Sequence, residues 1–124
     1  MAEQVLNRID VPVAVAEYID ASNAFDGERL IATFADDALV NDARREFWGV
    51  REIKRWADRE VIGDRVTMDV TEVVQHRGEF IVRGLMDGDF DRSNLPDELI
   101  LTHYFTVTDG RITTLIIIRN NRDE

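Results

Sequence analysis

The sequence predicts an α+β domain in which three N-terminal helices pack on a curved, mixed or antiparallel sheet shaped like a cone. Apolar residues recur at helical spacing in three segments between Pro12 and Val61. Two pairs of β-branched segments follow, joined at Arg77-Gly78 and at Asp109-Gly110, and the Asp-Gly pair is a strong signal for a two-residue hairpin. Helices followed by a run of strands are typical of an α+β fold.

The first two helices are predicted from capping residues and apolar spacing. The first begins at Asp10 and Pro12, because aspartate accepts from free backbone amides and proline is tolerated in the first turn. Its inward stripe consists of Val15, Tyr18, Ile19, Ser22 and Phe25. Gly27 ends this pattern, and a second short helix then runs to Asp36-Asp37. The apolar side of that helix consists of Leu30, Ile31 and Phe34.

A short strand, a third helix and four longer strands complete the prediction. The short strand runs from Ala38 to Asp42 and is followed by a polar loop, Ala43 to Glu46. The third helix begins near Gly49, and its buried stripe consists of Val50, Ile53, Trp56, Ala57 and Val61. The longer strands cover residues 66–76, 79–90, 98–108 and 111–119.

The composition narrows the class of function. A chain of 124 residues that is 44% hydrophobic fits a single domain over residues 1–124. The net charge of -10 is repelled by nucleic acid and by anionic membranes. There is no cysteine, and His76 and His103 are not spaced as ligands, so we expect no metal site and no cofactor. No signal-like or membrane-spanning stretch is evident, so we expect a cytoplasmic location.

Two stretches carry a resemblance to a known family. One is NAFDGERLIATFADDA at Asn23 to Ala38, and the other is HYFTVTDGRI at His103 to Ile112. From about Pro12 to Asn120 the chain resembles the nuclear transport factor 2-like superfamily, and within it the ketosteroid isomerases and SnoaL-like polyketide cyclase domains. The resemblance implies a cone with an apolar pocket for a small hydrophobic carbonyl compound, polyketide-like or steroid-like.

The resemblance also implies residue roles. Tyr18 matches the isomerase tyrosine that donates to the substrate oxygen, and Asp42 matches the aspartate that moves the proton, so these two are the predicted catalytic residues. Thr102 stands where the isomerases have a second, carboxylic acid donor, and a weaker donor there implies a rate loss of roughly a hundredfold. The acid expected of a cyclase falls within Leu115 to Ile118, where the chain reads LIII.

Strand alternation together with the resemblance predicts the pocket wall. The predicted substrate-binding residues are Val82, Gly84, Met86, Thr102, Tyr104, Leu115 and Ile117, with Trp56 and Trp48 closing the wall and Arg119 at the mouth. Gly84 is expected to leave space in the pocket. His103 alternates with its neighbours and is therefore predicted to point away. The simpler alternatives are a core role for Tyr18 and a pairing of Asp42 with Arg44 or Arg45.

Two functions remain open at this point. The first is an enzyme of isomerase, cyclase or dehydratase type, with Asp42 as general base and Tyr18 as donor. The second is a non-catalytic ligand-binding or dimerisation module of the same fold. In both cases we expect a homodimer through the outer sheet face, with Val70, Val74 and Phe105 among the candidate residues.

Overall fold

The computed structural model describes residues 3–5 and 11–119. Its helices are α1 (Val13–Asn23), α2 (Gly27–Ile31) and α3 (Gly49–Trp56), and a π-helical segment, Ala57–Ile62, continues α3. Its strands are β1 (Glu3–Val5), β2 (Phe34–Asp42), β3 (Arg45–Trp48), β4 (Thr67–His76), β5 (Glu79–Asp87), β6 (Leu99–Thr108) and β7 (Arg111–Arg119). The predicted α+β class is confirmed.

All seven strands belong to one mixed sheet in the order β1-β4-β5-β6-β7-β2-β3. Neighbouring strands are antiparallel, except that β2 runs parallel to β7. The register shifts between Val70 and Glu72 in β4, and again between Thr106 and Val107 in β6. Such bulges bend a strand and increase its twist, so the sheet is curved.

The helices cover one face of the sheet, where the core lies. On that face α1 contacts β4, β6 and β7, and α3 contacts β2 and β3. The largest fully buried side chains are Trp56, Phe105, Ile19, Leu30, Ile53, Ile112, Leu115, Val15, Val40 and Val82. They come from both helices and strands, because a helix stripe and a sheet face each need an apolar partner.

One pair of hydrogen bonds holds α1 on the sheet. The Asn23 side-chain amide donates to the Met68 carbonyl at 3.0 Å, and its oxygen accepts from the Met68 amide at 2.7 Å. The amide thus satisfies both backbone groups of a residue at the start of β4. This contact fixes the end of the helix that carries Tyr18.

Both predicted two-residue hairpins are confirmed. Arg77 and Gly78 have φ values of 52° and 86°, and Asp109 and Gly110 have φ values of 53° and 81°. Two consecutive residues with positive φ form the turn whose twist matches that of antiparallel strands. The register of the β4–β5 and β6–β7 pairs follows from these turns.

The predicted extent of the second helix is wrong. The Thr33 hydroxyl donates to the Leu30 carbonyl at 2.7 Å, and the Thr33 carbonyl accepts from the Ile112 amide at 2.8 Å. Local bonding therefore ends α2, and pairing with β7 begins at once. Phe34 consequently starts β2 instead of extending the helix, and its ring packs edge-on against Tyr18 at 5.9 Å.

The predicted polar loop after Asp42 is instead a tight hairpin. Ala43 and Arg44 have φ values of 54° and 71°, and the Asn41 side chain accepts from the Arg44 amide at 3.0 Å. Non-glycine residues rarely adopt such values, so the sequence carries no turn signal here. The hairpin adds β3 to the sheet and brings Arg45 back alongside Asp42.

The first helix starts at Val13, directly after Pro12, and no side chain caps it. The predicted cap, Asp10, lies outside the described residues. Phe25 lies beyond α1, with a φ of 57°, and its ring packs under the Arg65 guanidinium at 4.0 Å. Phe25 therefore does not belong to the buried stripe predicted for the helix.

Within the described part of the chain, no helix has the length and apolarity needed to cross a membrane. A cytoplasmic location stays a prediction.

Candidate active site

A cavity of about 180 Å³ lies between the helices and the curved sheet. Most of its wall is apolar, contributed by Trp56, Val61, Val66, Met68, Met86, Phe90, Leu99, Leu101 and Ile117. Six polar residues interrupt this wall: Tyr18, Ser22, Asp42, Glu60, Asp64 and His103. An apolar cavity with a few polar groups directed into it is the usual form of a small-molecule site.

Tyr18 is 3% exposed and lies on the inward stripe of α1. Its ring packs edge-on against Phe34 and Phe105, with ring centroids 5.9 Å and 5.4 Å away. Within residues 3–5 and 11–119, no group hydrogen-bonds its hydroxyl. Burial and then the nearby charge of Asp42 raise its pKa above the usual value, so the hydroxyl remains a proton donor.

Asp42 ends β2 at the same cavity, and its carboxylate has two donors on one oxygen. The Trp56 indole donates to Oδ2 at 3.0 Å, and the Arg45 guanidinium donates to Oδ2 at 3.1 Å. No described residue donates to Oδ1. The carboxylate is therefore fixed in orientation while one of its oxygens stays available.

An ion pair stands beside Asp42 at the cavity. Arg45 donates to both oxygens of Glu60, at 2.8 Å and 2.7 Å, and this is the bidentate arrangement that suits a guanidinium. The hydrogen bond from Arg45 holds the pKa of Glu60 below its usual value. Glu60 belongs to the π-helical segment, a rare element that is frequent at functional sites.

His103 lies on the cavity wall and is 2% exposed. Its ring stacks on Phe105, with centroids 6.2 Å apart and an interplanar angle of 14°. Its Nδ1 atom has no hydrogen-bond partner among the described residues. Burial lowers the pKa of His103 to about 4, partly opposed by the Val82 backbone, so the imidazole is neutral at pH 7.

The fold of this chain is similar to that of several proteins of known structure. No protein-family model and no curated protein sequence matches the chain. An NTF2-like protein of unknown function from Cytophaga hutchinsonii has a TM-score of 0.71 at 12% identity, over 95% of this chain and 94% of its own. A protein from Catenulispora acidiphila with a ketosteroid isomerase-like fold, solved with trimethylamine, has a TM-score of 0.72 at 17% identity, over 87% and 85%. Both likenesses establish the fold.

A third structure is closer in sequence. It is a protein from Sinorhizobium meliloti described as a "putative polyketide cyclase", with 31% identity, a TM-score of 0.80, and coverage of 91% of this chain and 100% of its own. The chain belongs to the nuclear transport factor 2-like superfamily. Its predicted resemblance to the ketosteroid isomerase-like and polyketide cyclase-like members is confirmed by these neighbours.

Within this superfamily fold, five of the predicted site residues line the cavity. They are Tyr18, Asp42, Trp56, Met86 and Ile117. Trp48 does not line it, since its side chain is 61% exposed on β3 and its indole donates to Glu46. Arg119 is also exposed and lies off the wall. Val82 and Leu115 face the helices but are fully buried in the core.

The orientation predicted for β6 is wrong. His103 pairs with Val82, and directly opposed residues of antiparallel strands share a face of the sheet. Because Val82 faces the helices, His103 does so too, whereas Thr102 and Tyr104 do not. Apolar alternation could have revealed this, because Leu99, Leu101, Phe105 and Val107 form the more apolar row of the strand. His103 is the polar residue within that row. Thr102 and Tyr104 lie on the outer face.

The same register corrects the predicted outer face. Phe105 packs against Tyr18, and Val70 stands opposite the inward-facing Gly84, so neither belongs to the outer face. Val74, opposite Ile81, does lie on that face. The bulge after Val70 reverses the alternation within β4, and no sequence pattern marks it.

Gly84 leaves no open space, in contrast to the prediction. A Cβ atom built on it would stand 2.3 Å from Met68 Cγ and 2.7 Å from Met68 Sδ. The Met68 side chain therefore occupies the room beside the glycine. Gly84 determines where Met68 lies on the cavity floor, although Gly84 itself is not part of the wall.

Proposed function

We propose that this protein binds a small hydrophobic carbonyl compound in the cavity and catalyses proton transfer at the carbon next to the carbonyl. No cofactor takes part in the step. The observation that carries the proposal is the convergence of the Tyr18 hydroxyl and the Asp42 carboxylate on one apolar cavity. Isomerase, cyclase and dehydratase reactions can all begin with this proton transfer.

Asp42 acts as the general base. Both donors to its carboxylate, Trp56 and Arg45, bond to Oδ2, so Oδ1 is the oxygen directed to the substrate. It removes a proton from the carbon, the electron pair moves onto the carbonyl oxygen, and the protonated Asp42 later returns the proton to another carbon. A positioned carboxylate contributes about a hundredfold to ten-thousandfold to such a transfer.

Tyr18 is the donor to the carbonyl oxygen. Its raised pKa keeps it protonated, and its hydroxyl makes no other hydrogen bond with the described residues. A donor held in place before the reaction stabilises the enolate as its charge develops, without reorganisation of solvent. Support also comes from the 31% identical relative, which is described as a "putative polyketide cyclase". For the curved sheet we propose the cone shape typical of the superfamily.

Deuterium exchange tests the proposal. The protein is incubated with cyclohexanone in D2O, and incorporation of deuterium next to the carbonyl is followed by NMR. The expected result is exchange above the buffer rate in the wild type and loss of that excess in Asp42→Asn. Asp36→Asn is the matched control, because Asp36 is an exposed aspartate on the same strand. Equal exchange in wild type and Asp42→Asn would remove Asp42 from the mechanism, and binding without exchange would leave a non-catalytic ligand-binding module.

We also propose that two copies pair through the outer sheet face. The side chains of Tyr104, Ile116 and Ile118 share this face, and Ile118 is 44% exposed. An apolar sheet face is poorly suited to contact with water. Light scattering is expected to give a dimer that Ile118→Lys dissociates, while Val13→Lys, at an 84% exposed site on α1, leaves it intact. A monomeric wild type would contradict this.

A further inference from the structure

We propose that His103 contacts the ligand and that the cavity selects compact, uncharged molecules with two oxygen atoms, one placed at Tyr18 and the other at His103. This rests on the proposed function for the position of the reacting carbonyl and adds the class of substrate. A one-ring hydroxyketone or diketone has this chemistry.

The volume of the cavity limits the ligand to a compact one. About 180 Å³ lies below the roughly 300 to 1,000 Å³ of drug-sized pockets and near the roughly 150 Å³ of an engineered cavity that accepts benzene. The side chains of Met68, Met86 and Trp56 are among those that bound this space. A single six-membered ring fits this space, whereas the four fused rings of a steroid do not.

His103 supplies a second polar anchor that the protein leaves without a partner. A buried polar atom without a hydrogen bond is destabilising, and such atoms are few in folded proteins. The Nδ1 atom of His103 is enclosed by protein, so Nε2, which has no hydrogen-bond partner among the described residues, is the ring nitrogen that meets the cavity. A ligand oxygen at His103 would provide the missing hydrogen bond.

Tyr18 and His103 line the same cavity and contact the same buried ring. The Phe105 ring touches each of them, with ring centroids 5.4 Å from Tyr18 and 6.2 Å from His103. Both polar groups therefore reach the cavity beside a single buried ring. A ligand that carries two oxygens and lies beside this ring is thus recognised at two points.

The charges on the wall exclude an anionic ligand. Asp42, Glu60 and Asp64 all line the cavity, and the neighbouring Arg45 is bonded to both Asp42 and Glu60. Its guanidinium is thus already engaged by carboxylates. A ligand carboxylate would meet an excess of negative charge, so both ligand oxygens belong to neutral groups.

Calorimetric titration at pH 7 with phenol and resorcinol tests the inference. Resorcinol adds one hydroxyl to phenol, and one further hydrogen bond is expected to tighten binding about fivefold. In His103→Phe the two affinities should become equal. His76→Phe is the matched control, since His76 also has an unpartnered Nδ1 but lies off the wall, and it should keep the fivefold ratio. His103→Gln retains a hydrogen-bonding group and should keep a preference for resorcinol.

Estradiol and benzoate test the size and charge of the ligand. Estradiol is a phenol extended by three further rings, and benzoate has a carboxylate where phenol has its hydroxyl. Neither should bind. Equal affinity for phenol and resorcinol in the wild type, an unchanged ratio in His103→Phe, or binding of estradiol or benzoate as tight as that of phenol would overturn the inference. A His103-dependent ratio without exchange of cyclohexanone would refute only the proposed function, and exchange without that ratio would refute only this inference.

Discussion

Two sets of polar groups on the cavity wall are held in opposite ways. Asp42, whose side chain is 22% exposed, receives hydrogen bonds from Trp56 and Arg45. Tyr18 and His103, by contrast, are 3% and 2% exposed, and neither the Tyr18 hydroxyl nor the His103 Nε2 atom has a hydrogen-bond partner among the described residues. A charge needs partners and water, whereas a neutral group can be buried at a cost of about 1–3 kcal/mol.

This difference in hydrogen bonding suits the two sets of groups to different roles. The anchored carboxylate is ready to accept a proton because its orientation is fixed before a ligand arrives. The unpartnered phenol and imidazole are ready to bind because no protein group has to be displaced first. Each of the following variants removes one feature of this contrast.

The largest effect is expected from Tyr18→Phe. Loss of the donor should reduce the rate of cyclohexanone exchange about a hundredfold to a thousandfold, as removal of an oxyanion donor does in other enzymes. The chain has only two tyrosines, so Tyr104→Phe on the outer sheet face is the matched control and should leave the rate unchanged. Equal rates in Tyr18→Phe and the wild type would exclude Tyr18 from the step.

The buried imidazole makes stability depend on pH. The unfolded chain takes up a proton at His103 near pH 6.5 and the folded chain only near pH 4, so this contribution is complete above pH 6.5 and is lost as the pH falls toward 4. The loss amounts to about 3 kcal/mol between pH 7 and pH 4. Urea unfolding of wild type and His103→Gln at both pH values isolates it, and parallel pH profiles would contradict a buried neutral histidine.

Gly84→Ala tests the packing of Met68 against the sheet at the cavity wall. The added methyl group meets Met68 Cγ and Sδ, so Met68 must move, and overpacking of this kind costs about 2 kcal/mol. Displacement of Met68 on the cavity floor should also weaken phenol binding. The double variant Gly84→Ala/Met68→Ala should recover binding, as measured by calorimetry. Unaltered unfolding and binding in Gly84→Ala would show that Met68 does not fill this space.

The smallest effect is expected from loss of one hydrogen bond to the Asp42 carboxylate. Trp56→Phe removes one of the two donors to Asp42 Oδ2, and the exchange rate at saturating cyclohexanone should fall about tenfold, which corresponds to about 1.4 kcal/mol. Trp48→Phe is the control, because Trp48 is exposed and bonded to Glu46. A reduced affinity with an unchanged saturated rate would assign Trp56 to the wall alone.

The sequence predicted those parts of the fold that depend on local patterns. Asp109-Gly110 marks its hairpin because those residues tolerate positive φ, and the stripe through Ile53 and Trp56 marks α3. The hairpin at Ala43-Arg44 could not be predicted, since its conformation is imposed by pairing of β2 with β3 and β7. Arg45 therefore lies beside Asp42 because of a turn that no residue in the sequence would have indicated.

The site was predicted only in part, because local patterns mark some of the elements that carry it and not others. Tyr18 and Asp42 lie on elements with clear patterns, and both reach the cavity. The predicted face of His103 was wrong because the family resemblance places Thr102, and not His103, at the position of the isomerases' second donor. Glu60 and Asp64 were not predicted, since the π-helical segment and the turn after it depend on tertiary packing and not on a local motif.

A crystal structure of the protein with phenol bound tests the central claim most directly. The account predicts a phenol ring inside the cavity, its oxygen within about 3.2 Å of the Tyr18 hydroxyl and its edge beside Oδ1 of Asp42. A ring bound elsewhere, or one that contacts Tyr18 while the Asp42 carboxylate points out of the cavity, would contradict it.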